Sequence, residues 1–128
     1  MTSNEQPETE YHDVGEFVHN YLTGLYQRQV TDINDTVWCP EWWRHKEAVA
    51  RLEAVWRAFE FYRQDPTTGM SIWLLNHADK HMAVLFDPKG PFKYCSVRHG
   101  HKEMLTRLPV ATYPEGLFSN PEEYSRTT

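Results

Sequence analysis

Residues 38–63 read WCPEWWRHKEAVARLEAVWRAFEFYR, and the fold turns on how that stretch is folded. Pro40 suits the first turn of a helix, where its missing N–H would have had no partner, and neither Pro nor Gly interrupts the chain again before Pro66. At about 100° per residue, Trp42, His45, Val49, Leu52, Trp56 and Phe59 share one stripe, widened by Ala48 and Val55. The pattern predicts a long central helix with that stripe in the core. Glu47 with Arg51 and Glu53 with Arg57 are i, i+4 pairs in the favourable order, each worth about 0.3 kcal/mol. A second uncharged line, Trp43, Ala50, Ala54 and Phe61, lies well around the helix from the first. Either another element of the chain covers it, as is usual for a central helix, or it is a surface for a protein partner or a second copy of the chain.

Working outward, residues 13–27 place Val14, Phe17, Val18, Tyr21, Leu22 and Leu25 at helical spacing, with Asp13 and Glu16 forming a capping-box-like start. Residues 28–38, with Thr31, Ile33, Thr36 and Val37 among Asp and Asn, read as a loop with one short extended piece. On the other side, Asp65-Pro66 and Gly69 break the central helix, and Ser71 caps a third helix running to about His81. Residues 82–86 then read as a short strand, Asp87-Pro88-Lys89-Gly90 as a type I turn, 92–97 as the returning strand and 104–108 as a third. The expected class is therefore α+β: three helices around the long central one, with a small C-terminal antiparallel hairpin or meander. One domain over residues 11–118 is expected, flanked by polar tails at 1–10 and 119–128 with almost nothing to bury.

Composition bounds the function. The chain has 128 residues, of which 40% are hydrophobic and 14% aromatic, enough for one compact core. A net charge of -5 makes a nucleic-acid partner unlikely on composition, and the local Arg98, His99, His101, Lys102 patch reads as a solvated turn. No apolar run is long enough to span a bilayer, and Met1 is followed by polar and acidic residues rather than a basic and then apolar leader. Cys39 and Cys95 read as reduced thiols, and the expected setting is the cytoplasm, away from any membrane.

The stretch 38–63, together with GMSIWLLNHADKHMAVLFDPKGPFKYC at 69–95, resembles the DUF4913 family of actinobacteria and their phages, plasmids and integrative elements. The resemblance rests on Trp-Cys-Pro-x-Trp-Trp and Gly-Pro-Phe-x-x-Cys and covers residues 11–118. It implies membership of a family without an assigned role, from which no catalytic residue carries over. Phe17 stands where a tryptophan is common in such sequences.

Several residues could carry chemistry. His77 and His81 stand four apart near the end of the third helix, and Cys95, His99 and His101 follow in the expected hairpin. The set has the ligand types zinc takes, and a bound zinc is expected, if anywhere, at His77, His81 and Cys95 with His99 or His101. Ordinary surface and core histidines are the preferred reading, with no cofactor, because no Cys-x2-Cys knuckle is present. His45, inside the core stripe, reads as a hydrogen-bonded core histidine. Cys39, ahead of the central helix, and Cys95 are the thiol candidates for a nucleophile, although cysteine also serves as a small hydrophobe at such junctions. No phosphate loop, GxSxG or HExxH is present. Asp79, Asp87 and Glu103 fall in separate turns. The expectation is a non-catalytic binding or adaptor protein that meets a protein partner or a second copy through Trp43, Ala50, Ala54 and Phe61. The alternatives are a zinc-stabilised module recognising nucleic acid or protein, and a thiol-dependent enzyme.

Overall fold

The computed structural model describes residues 8–31 and 35–119; most of the expected polar tails at 1–10 and 119–128, and Ile33 of the expected loop, lie outside them. Among the described residues three helices carry the fold. The first, α1, spans residues 14–25 and is α-helical at Val14–Phe17, π-helical at Val18–Leu22 and α-helical again at Thr23–Leu25. The second, α2, is Lys46–Tyr62. The third, α3, spans 69–86 as Gly69–Trp73, a π-helical turn at Leu74–Ala78, and Asp79–Phe86.

The helix starts follow the local chemistry. Asp13 accepts the amide of Glu16 at 2.8 Å, and the Glu16 carboxylate reaches back to the amide of His12 at 2.9 Å, so two otherwise orphaned donors at the start of α1 are satisfied reciprocally. Helix α2 begins at Lys46 and not directly after Pro40. The residues between fold into a 3₁₀ turn, Trp42–Arg44, and His45 takes extended backbone before the helix starts. Asp65 closes α2 by accepting from the Thr67 amide and from the hydroxyls of Thr67 and Thr68. Gly69 is required there by space: a Cβ would lie 1.9 Å from the Tyr62 carbonyl oxygen.

The core forms where the three helices meet. Ala48, Leu52, Val55 and Phe59 of the α2 stripe are buried, Val49 and Trp56 are half-buried, and Trp42 reaches the core from the 3₁₀ turn. Phe59 sits 5.2 Å from Phe17 and 5.3 Å from Trp73 between ring centroids, joining all three helices through one aromatic cluster. Trp73 is fully buried and donates its indole N–H to the Val55 carbonyl at 2.9 Å; truncating such a ring costs about 3–5 kcal/mol.

The C-terminal part departs from expectation. Residues 82–86 are the last turns of α3 and not a strand, residues 91–94 are turns, Ser96 and Gly100 form an isolated bridge, and 104–108 belong to no regular element. No strand or sheet occurs among the described residues, so the α+β class with its hairpin or meander is corrected to an all-helical fold with an irregular C-terminal segment. The reason lies in α3. Its buried residues, Trp73, Ala78, Met82 and Leu85, are spaced five, four and three apart, and the π turn absorbs the extra residue, keeping one face on the core through a run that resembles a strand. Phe92 and Cys95 are single buried anchors and not alternate positions of a half-buried strand. The expected turn at Asp87–Gly90 does form, with the Gly90 amide donating to the Asp87 carbonyl at 2.8 Å. The Val37 amide then ties the segment before α2 to the end of α3 through the Phe86 carbonyl at 2.9 Å.

Candidate metal centre

That tie brings together two chain segments that each hold a cysteine and a histidine. In the first, the 3₁₀ turn carries the chain from Cys39, which is fully buried, to His45 at the start of α2. In the second, Cys95 is anchored by its amide on the Phe92 carbonyl at 3.0 Å, and the Ser96–Gly100 bridge folds the chain back so that His101 lies beside it. Gly100 makes that return possible, because its φ of +78° is in the left-handed region that glycine enters without a side-chain clash. Ligand atoms of Cys39, His45, Cys95 and His101 all lie within 4.8 Å of one another.

Three of the donor–donor distances suit a tetrahedral metal ion, and none of the others exceeds 4.8 Å. Donors about 2.0–2.3 Å from zinc define tetrahedron edges of about 3.3–3.8 Å. Cys39 Sγ is 3.4 Å from His101 Nδ1, Cys95 Sγ is 3.4 Å from His45 Nε2, and Cys95 Sγ is 3.7 Å from His101 Nδ1. The backbone amide of Lys102 donates to Cys95 Sγ at 3.4 Å. Burial, followed by the neighbouring His101, pushes the His45 pKa down and holds its ring neutral, the state a metal ligand needs. Burial, followed by the side-chain hydrogen bond to Cys95, pushes the Cys39 thiol up to about 12, so without a cation beside it this sulfur stays protonated and a poor nucleophile.

Residues 11–114 match a domain of unknown function, DUF4913. The chain belongs to the DUF4913 family. No curated protein and no solved structure matches the chain. In this DUF4913 domain, the histidines and cysteine singled out from sequence divide. Cys95 and His101 are in the quartet. His77 instead packs against Tyr62 with ring centroids 5.2 Å apart, His81 takes the Arg51 guanidinium at 3.1 Å, and His99 is exposed with its amide on Ser96 Oγ. From sequence the two remaining quartet members, Cys39 and His45, read separately, as a thiol and a core histidine. A signal for the quartet existed: both cysteines of the domain are followed six residues later by a histidine, Cys39-x5-His45 and Cys95-x5-His101.

The expected partner line of the DUF4913 domain is uncovered. Trp43, Ala50, Ala54 and Phe61 are all exposed, although the His19 ring of α1 flanks Trp43 with centroids 6.2 Å apart. The segment after His101 adds further exposed apolar side chains, among them Met104, Leu108 and Val110. No helix among the described residues is long and apolar enough to cross a membrane.

Proposed function

We propose that this DUF4913 domain is a non-catalytic binding module stabilised by one zinc ion held by Cys39, His45, Cys95 and His101. The observation that carries the reading is the convergence of four zinc-type donors within 4.8 Å from two distant loops. Two thiolates and two neutral imidazoles saturate a tetrahedral ion and leave no open position for water or substrate, which marks structural rather than catalytic zinc. Such an ion fixes the 39–45 turn to the 95–101 loop and so fixes where the apolar segment beyond His101 leaves the domain. The exposed Trp43 line and that segment support a protein partner, and the buried thiols support a role without nucleophilic chemistry. The family resemblance supports service as a cytoplasmic accessory protein of an actinobacterial phage, plasmid or integrative element.

Metal analysis of protein purified from zinc-supplemented cells without chelator is expected to give about one zinc per chain. Cobalt substitution is expected to produce the visible bands of a tetrahedral thiolate–imidazole site. Cys95→Ser should abolish both results, while His77→Ala and His99→Ala leave them intact. Absence of stoichiometric metal, or full retention in Cys95→Ser, refutes the reading.

A further inference from the structure

His101 is held from both sides. Its side chain is only 4% exposed, its Nδ1 faces the two sulfurs, and its Nε2 lies 3.1 Å from Glu103 Oε1. The same Glu103 oxygen lies 3.6 Å from Arg44 Nη2, and Arg44 Nη1 is 3.2 Å from Glu41 Oε1. Arg44 and Glu41 belong to the turn between Cys39 and His45. A chain of charges therefore runs from one metal-binding loop, through Glu103, onto the back of a histidine in the other.

Resting on the zinc reading, we propose that Glu103 is a positioning residue for the metal centre: its carboxylate accepts the Nε2 proton of His101 and so leaves the Nδ1 lone pair free for the ion. Neutral imidazole carries one proton, and the partner of one ring nitrogen decides the state of the other. A carboxylate accepts only, so it selects the tautomer protonated at Nε2, orients the ring and makes Nδ1 a stronger donor. Arg44 steadies that carboxylate from the opposite loop. The bland account of Glu103 is an exposed ion pair with Arg44, and such pairs contribute almost nothing to stability. The two accounts separate cleanly because Glu103 is 65% exposed: replacing it leaves the fold nearly untouched, whereas a group behind a metal-bound histidine changes metal affinity about 10–100-fold.

The test compares wild type with Glu103→Gln and Glu103→Ala. Zinc affinity is read by competition with a chromophoric chelator, the His101 tautomer by imidazole nitrogen NMR of the metal-free protein, and folding by denaturation without metal. Wild type must first bind about one zinc, which tests the metal reading separately. Glu103→Ala is then expected to weaken zinc about 10–100-fold, to mix the His101 tautomers, and to leave the metal-free unfolding midpoint unchanged. Glu103→Gln, which keeps an acceptor oxygen but loses the charge, should fall between. Zinc-binding wild type with Glu103→Ala within about twofold of its affinity, or an unaltered His101 tautomer, overturns the positioning role while leaving the zinc site standing. Wild type that binds no zinc overturns both.

Discussion

Glu60→Gln tests how the helical core holds the N-terminal segment. Glu60 is the buried carboxylate near the end of α2, and its two oxygens serve four donors. Oε1 accepts from the Glu10 amide at 2.8 Å and Arg63 Nε at 2.8 Å, while Oε2 accepts from the Tyr11 amide at 3.0 Å and the Trp56 indole at 3.1 Å. Whichever way a glutamine is turned, its NH2 group faces two N–H donors, so two bonds are lost and two part-buried donors are left unpaired. At about 1 kcal/mol or more for each orphaned donor, Glu60→Gln is expected to cost about 2–4 kcal/mol. The pH dependence has a definite sign. Burial alone would raise the Glu60 pKa, but the Glu10 and Tyr11 amides, Arg63 and Trp56 together lower it below the ordinary 4.5. The unfolded chain therefore takes up this proton at higher pH than the folded one. The stabilisation is present in full above about 4.5 and is lost as pH falls through the lowered folded value. Urea unfolding followed by tryptophan fluorescence, at neutral pH and again in stepwise acid, is expected to show the wild-type advantage shrinking toward zero. A difference below about 0.5 kcal/mol at neutral pH, or one that does not shrink with acid, refutes the anchor.

Gly100→Ala meets no heavy atom within 4 Å of its new Cβ, so its cost is the backbone conformation alone, about 1–2 kcal/mol at φ +78°. The expected result is weaker zinc retention with the helical core intact by circular dichroism; unchanged retention would show that this turn does not position His101. The double variant Trp43→Ser, Phe61→Ser removes side chains that are 52% and 67% exposed, so stability should move by less than about 0.5 kcal/mol while any self-association seen by sedimentation is reduced. A cost above about 1.5 kcal/mol would place them in the packed core instead.

The helices were legible because each writes its own periodicity. Ala48, Leu52, Val55 and Phe59 mark the buried side of α2 without reference to any other part of the chain, and Asp13 with Glu16 marks the start of α1 in the same way. Residues 82–86 misled because five apolar-rich residues after a shift of face carry no period of their own, and only the π turn at Leu74–Ala78 reveals that the face is continuous. The Cys-His-Cys-His quartet was illegible for a different reason. His77 and His81, four apart on one helix, are the pair that local reasoning favours, yet the sequence does not say what lies opposite them, and the structure puts Tyr62 and Arg51 there. Cys39 and His45 each had a sound bland reading in their own neighbourhood. They become a site only because the end of α3 returns to the start of α2 and delivers Cys95 and His101, a long-range fact that no local window contains. The repeated Cys-x5-His spacing is the one trace the sequence keeps of it. In the proposed zinc-bound form, two loops that are ordinary alone would share one cation, whose charge would offset the burial that raises the Cys39 thiol. The irregular segment 92–101 holds a defined place without a sheet: its fixed points are Phe92 against Trp38 at 5.2 Å, the sulfur of Cys95, and the single Ser96–Gly100 pair of backbone hydrogen bonds.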